Sequence, residues 1–273
     1  MNRKAISVDF RARFGFFKKQ DTNEGICFTY NCIHKPALLG ILGAICGLGG
    51  HSEAFYRRQK SDEPELPDFY NKLKDIPLGV RPISRKRNLE FKGIFQKTVI
   101  YYVNTTGFAN KQATLQLKEQ TLIDPAFRIY MLLDLDDELQ SKLYHSLKNA
   151  EADYLPYMGK NDFQVWWDES DVREYDYEEF TASGGFRIAN MFAKESVMSA
   201  TTEIDWASED FEEDIGEACF MTFEHLPVGY NMEAMTYDKL NFVMTDKKFG
   251  EDDQFADLYK FTNSDIKQII QLK

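Results

Sequence analysis

Between Ile6 and Phe14 the chain alternates strictly: Ile6, Val8, Phe10, Ala12 and Phe14 share one face, and Ser7, Asp9, Arg11 and Arg13 share the other. A period of two predicts a strand buried on one side, with two arginines on its open side. A polar loop, Lys18 to Gly25, separates it from Pro36 and the almost wholly apolar stretch Ala37 to Ile45. Proline fits the first turn of a helix, and Gly40, Gly43, Ala44 and Gly47 predict a helix that lies very close to a sheet. Residues Ser52 to Pro77 are charged and irregular, and Pro77 to Ile83 reads as a short extended segment. Strand patterns follow at Lys97 to Asn104 and Ala113 to Gln120, the latter with Leu115 and Leu117 opposite Thr114, Gln116 and Lys118. Residues 105 to 111 between them form a hairpin tip. Phe127 to Leu133 predicts another strand, and Asp136 is placed to cap a helix reaching Ala150 with Leu139, Leu143 and Leu147 as its apolar stripe. The turn-rich loop Tyr154 to Asn161 then leads into a strand at Phe163 to Trp167.

Strand, helix, strand, inserted hairpin, strand, helix, strand is the β-α-β-β-α-β order of the ferredoxin-like fold, which RRM-type RNA binders share. The expected architecture is therefore α+β: a ferredoxin-like (RRM-type) domain over residues 1–169 and a smaller, acidic, β-rich C-terminal domain over 170–273. The second unit has strand candidates at Ala218 to Phe223 and Thr236 to Thr245.

Charge changes this picture more than composition does. A content of 43% hydrophobic and 14% aromatic residues excludes a disordered or collagen-like chain. The formal net charge of -11 hides an asymmetry, because residues 1–123 carry a net +9 and residues 124–273 a net -20. A basic half can meet nucleic acid even when the whole chain is acidic. Cys27, Cys32, Cys46 and Cys219 form no C-x-x-C pair, which predicts reduced thiols in a cytoplasmic protein. The longest uncharged apolar run, Ala37 to Leu48, is too short to span a bilayer, so no membrane partner is expected.

Several motifs reduce to structural roles. Gly47-x-Gly49-x-x-Ser52 lacks a third glycine and follows a helix, where a dinucleotide loop follows a strand. Gly40-x-x-Gly43 suits close helix packing. The acidic run from Asp134 has Leu139 where a calcium loop needs glycine, and fits a charged helix start. Glu209 to Asp214 has no histidine or cysteine nearby and fits a solvated or partner-facing stretch. Among the histidines His34, His51, His145 and His225 there is no H-E-x-x-H pair, and the chain has no G-x-S-x-G elbow.

His34 and Lys35 stand immediately before Pro36, at a helix start whose free N–H groups favour anions, and Tyr30 lies one turn upstream. They suggest a phosphate or base site, and equally a histidine that simply caps the helix. The basic residues Arg11, Arg13, Lys18, Lys19, Arg81, Arg85, Lys86 and Arg87 are interleaved with aromatics, a mixture suited to pairing phosphates and stacking bases.

The segment Thr29 to Leu48 (TYNCIHKPALLGILGAICGL) resembles the Cas five family, the RAMP-type subunit of type I CRISPR surveillance complexes (Cascade). The likeness continues through Lys118 to Tyr130, Tyr154 to Asn161 and Phe223 to Val228, in the family's order and across most of the chain, and is strongest to the type I-B branch. The resemblance implies an RRM-like domain with a protruding thumb, here about residues 104–123, and a subunit that binds the 5′ handle of CRISPR RNA. Its implied partners are the backbone and large subunits of the complex, with target DNA a further candidate. The implied RNA-binding residues are Arg11, Arg13, Lys35, Lys111, Lys118 and Lys160 on phosphates, Tyr30 or Tyr157 on a base, and His34 and Asn161 beside them. Type I-C relatives cleave precursor RNA with a Tyr, a Lys and an adjacent His. Here the only such neighbours, His34 and Lys35, stand in reversed order at a different place, so a non-catalytic subunit without cofactor or metal is expected. The alternative is a metal-independent endoribonuclease using Tyr30, His34 and Lys35, and a third possibility is a protein-binding scaffold free of RNA.

Overall fold

The computed structural model describes residues 2–20, 25–61, 66–84, 91–103, 116–181, 185–198, 220–250 and 253–273. Expectations for Lys111, the hairpin tip, Arg85 to Arg87, Cys219 and Glu209 to Asp214 lie outside these residues. In chain order the elements are β1 (Arg3–Arg11), β2 (Phe14–Gly15), α1 (Lys35–Ile45), α2 (His51–Ser61), α3 (Asp68–Leu73), β3 (Leu78–Pro82), β4 (Lys97–Val103), β5 (Gln116–Ile123), β6 (Ala126–Asp134) and α4 (Glu138–Lys148). They continue with β7 (Val172–Glu179), β8 (Phe192–Ala193), β9 (Met221–Asn231), β10 (Thr236–Thr245), β11 (Leu258–Thr262) and β12 (Lys267–Gln271). Strands predominate over helices in this mixed α/β chain.

The main sheet has the order β12-β11-β7-β1-β6-β3, every neighbouring pair antiparallel. Ile6, Val8 and Phe10 of β1 pack with Leu38, Leu42 and Ile45 of α1 and Leu143 and Leu147 of α4 in one large core, so both helices cover the same face. Each Leu or Ile buried there contributes about 1.5–3 kcal/mol. The strand expected at Phe163 to Trp167 makes only isolated bridges, Tyr157 to Gln164 and Arg11 to Trp166. On the side of β1 away from β6 lies β7, in the register Ala5 to Tyr175 and Ser7 to Arg173.

The opposite face is not open, contrary to the alternation argument. Leu78 N–H donates to the Lys273 carbonyl at 3.2 Å, Lys273 N–H returns a bond to Leu78 at 2.9 Å, and Met191 N–H reaches the Val80 carbonyl at 2.8 Å. The far edge of β3 is thus paired with the chain that continues from β12, and the sheet closes into a barrel-like ring. Ala5, Tyr130, Leu132, Tyr175, Phe261 and Ile270 fill one end of its interior. Ser7 and Asp9 are buried inside as fully as Ile6 and Val8. Three strands of the ring come from beyond residue 169, so the sheet runs across the expected domain boundary.

Other local expectations are adjusted by packing. Gly40 and Gly43 approach Phe69 of α3, not the sheet. The segment expected to be irregular carries α2 and α3. The cap of α4 is Asp137, whose carboxylate accepts from Gln140 N–H at 2.8 Å, while Asp136 accepts from Asn2 N–H. The hairpin includes the strand pattern at Lys97, so it begins before the residue 104 at which the resemblance sets the thumb, since β4 pairs with β5 from Lys97 to Leu122. Its inner face sets Ile100 beside Phe16, Cys27 and Phe163, and its outer face leaves Val99, Tyr101 and Val103 exposed. A third sheet, β8-β10-β9, lies against α1 through β9.

Candidate nucleic-acid interface

A cleft of about 750 Å³ opens between the start of α1, the loop 154–161, the root of the hairpin and the turn joining β9 to β10. Its walls carry Phe16, Lys18, His34, His51, Tyr157, Lys160, Tyr230 and Tyr237. Three of the four segments that carry the family resemblance line it, and the fourth runs directly into Tyr230.

His34 caps α1: its Nδ1 accepts from Ala37 N–H at 3.3 Å, which leaves the ring proton on Nε2. Burial pushes its pKa down to about 3, so it is neutral at physiological pH. The cap alternative weighed for the sequence is the geometry found. Its ring is edge-on to Tyr30 at 5.6 Å and tilted to Tyr237 at 6.0 Å. Tyr237 in turn stacks on Tyr230 with centroids 4.8 Å apart and planes 30° apart, and Tyr237 Oη donates to Tyr230 Oη at 3.3 Å. Burial, then Tyr237, pushes the Tyr230 phenol pKa up, so it stays protonated.

The loop 154–161 is shaped by Gly159 (φ 84°), where any Cβ would collide with the carbonyl oxygen of Phe16. Next to it Lys160 Nζ bonds Glu119 Oε2 of β5 at 2.6 Å and sits 4.1 Å from the Tyr102 ring centre, with Phe16 and Phe163 rings at 5.8 Å. Burial lowers the Lys160 pKa but Glu119 and Tyr102 outweigh it, so the amine is held charged. Lys160 therefore ties the loop to the hairpin root, and its charge is matched by a buried carboxylate. Tyr157, 43% exposed, and Tyr154, 57% exposed, are the loop rings that line the cleft.

Two expected contact residues are turned away from solvent. Arg11 points into the barrel, where it pairs with Asp171 at 2.8 Å and Asp9 at 3.4 Å and keeps 11% of its side chain exposed. Ring closure converts the supposed open face into an interior. Tyr30 is buried beneath His34 and Lys19, so no base can reach its face. Lys35 departs from the cleft: its Nζ bonds the Lys273 main-chain oxygen at 3.0 Å, and burial lowers its pKa. Tyr30, His34 and Lys35 therefore do not converge on one point in the cleft. Arg13 is exposed near Asp124, Lys118 lies over Tyr101 on the outer face of the hairpin at 5.2 Å, and Asn161 is exposed beside the cleft without lining it.

Sequence reasoning missed Tyr230, Tyr237 and His51. A usable signal existed for the first two, because they flank the turn 232–235 at positions that face one another across the hairpin, in the register Tyr237 to Tyr230. His51 enters only because α2 folds beside β9, bringing its Nε2 to 3.4 Å from Tyr230 Oη. The cleft offers flat aromatic faces, neutral N–H and O–H groups and the exposed Lys18, a set suited to stacking and hydrogen-bonding bases.

The sequence matches no protein-family model and no curated protein. Among solved structures, it is similar to a chain of a CRISPR RNA-guided surveillance complex, with 11% identity over 92% of this chain and 91% of that one and a TM-score of 0.46. A CRISPR protein from Archaeoglobus fulgidus shares 11% identity over 97% of this chain and 98% of its own, with a TM-score of 0.45. A chain of a type III-B Cmr-beta complex bound to cognate target RNA and AMPPnP shares 9% identity over 92% and 86%, with a TM-score of 0.43. With likeness this distant, the chemistry of the site is read from this chain's own residues.

Proposed function

We propose that this chain is a non-catalytic, RNA-binding subunit of a CRISPR surveillance complex and that it takes the 5′ handle of a CRISPR RNA into the cleft. The carrying observation is convergence: segments from residues 29–48, 118–130 and 154–161, together with Tyr230 and Tyr237, build one aromatic cleft at the root of the hairpin. Tyr157 and the Tyr230–Tyr237 pair stack bases, Lys18 meets a phosphate at the cleft wall, and Lys160 positions the loop. The backbone and large subunits are the protein partners on this reading, and sequence choice on target DNA belongs to guide pairing. Cleavage would need a base and an electrostatic stabiliser over one phosphate. A buried Tyr30, a neutral capping His34 and a Lys35 held by Lys273 favour the non-catalytic role.

The test is a titration of handle RNA against scrambled RNA, with the protein assembled on its backbone subunit. Tyr157→Ala and Tyr237→Ala are each expected to weaken handle binding about fivefold to a hundredfold, since stacking is worth about 1–3 kcal/mol per base. Equal affinity of the assembled wild type for handle and scrambled RNA would sink the proposal.

A further inference from the structure

The polar end of the barrel holds a second constellation, sharing no residue with the cleft. Inside, the Asp9 carboxylate is saturated: Arg128 holds both oxygens at 2.6 and 2.9 Å, and Arg173 and Arg11 approach at 3.2 and 3.4 Å. Arg81, on β3, lies directly opposite Arg128 in the pairing register and so shares the interior face with it. Among the described residues, Arg81 Nε is buried with no hydrogen-bond partner, and so is Nε2 of Gln268 on β12. Buried donors left unmade are costly and uncommon in native folds, which marks this place as built for an acceptor.

Both side chains line a mouth of about 870 Å³. Arg187, Lys248, Lys260 and Lys267 also line it, against the carboxylates Glu178 and Glu179. Lys260 is tied to Glu178, whereas Arg187, Lys248 and Lys267 are exposed. The Arg187 Nε donates to the Asp246 carbonyl at 2.7 Å, and Lys248 runs across Gly185 where a Cβ would strike it. Five cations against two anions is a local excess of positive charge, and four of the five come from the half of the chain whose net is -20.

We propose that this mouth is a phosphate-binding site for the phosphodiester backbone of a nucleic-acid strand. Arg81 and Gln268 donate to a phosphate at the barrel end, and Arg187, Lys248 and Lys267 track its neighbours. One small anion needs one or two cations, while three exposed cations beyond the two buried donors suit a run of phosphates. The proposal does not depend on what the aromatic cleft binds.

The experiment measures binding of a mixed-sequence single strand of about 12 nucleotides to the full chain across a salt series. Wild type is compared with the triple variant Arg187→Gln/Lys248→Gln/Lys267→Gln, in the native background and with Tyr157→Ala/Tyr237→Ala in the cleft. These three side chains are exposed, so the fold is kept. The triple variant is expected to weaken binding at least about tenfold at low salt and to lower the slope of log K against log salt by about 2, from about 0.7 per phosphate contact, in both backgrounds. An unchanged affinity and slope overturns the proposal. Saturable binding of inorganic phosphate with no effect of the triple variant on the oligonucleotide also overturns it, in favour of a small-anion pocket. Arg81→Lys, which keeps charge but loses the Nε donor, is expected to weaken the oligonucleotide several-fold with its melting temperature unchanged.

Discussion

His34 shows how one side chain can look like a catalyst in sequence and act as a cap in the fold. Its Nδ1 is occupied by Ala37 N–H and its ring is enclosed by Tyr30, Phe17 and Tyr237. The folded pKa of about 3 lies below the usual 6.5, so between these values the unfolded chain binds the additional proton. Stability from this group is complete above pH 6.5 and declines as pH falls toward 3. At pH 5 the loss is about 2 kcal/mol. His34→Asn keeps a capping acceptor and removes the titration. Urea unfolding at pH 7 and pH 5 should show the variant losing about 2 kcal/mol less than wild type; parallel losses would place the neutral, buried histidine in doubt. Asp9 has the opposite balance. Burial raises its pKa, but Arg128 first and then Arg173 and Arg11 bring it below the usual carboxylate range, so it remains ionised inside the barrel.

At the level of elements, α1 illustrates what an apolar stretch with small residues specifies. Its burial on most sides was legible, since Pro36, Leu38, Leu39, Ile41, Leu42, Gly43 and Ile45 leave no polar stripe. The partner of its glycine face was not, because α3 is a helix of only six residues within a charged segment. A Cβ at Gly43 would fall on Phe69 of α3, so Gly43→Ala should destabilise the fold by about 1–3 kcal/mol although alanine is the better helix former. Gly50→Ala, which meets nothing within 4 Å, is the control and should stay within about 0.5 kcal/mol. Thermal unfolding of the two variants distinguishes them, and an unchanged melting temperature for Gly43→Ala would contradict the close α1–α3 contact.

For the whole molecule, the closed sheet makes the two halves of the chain interdependent. A fragment of residues 1–169 lacks β7, β11 and β12, exposes Ser7, Asp9 and Tyr130, and removes Arg173 from the Asp9 cluster. Circular dichroism during denaturation should show one cooperative transition for the full chain and none for the fragment; a cooperative fragment would restore a boundary near residue 169. Local pattern alone determined the strand at residues 6–10, the buried helix α1, the α4 stripe of Leu143 and Leu147, the hairpin from Lys97 and the loop at 154–161, because each depends on neighbours a few residues away. Whether Arg11 meets solvent, which strand lies beside β1 and where Tyr230 sits relative to Tyr157 were decided only by the tertiary structure. Period-two alternation reports that one face of a strand is apolar, but it cannot report that strands some 250 residues later return to cover the polar face, or that Arg128, Asp171 and Arg173 supply its counter-charges.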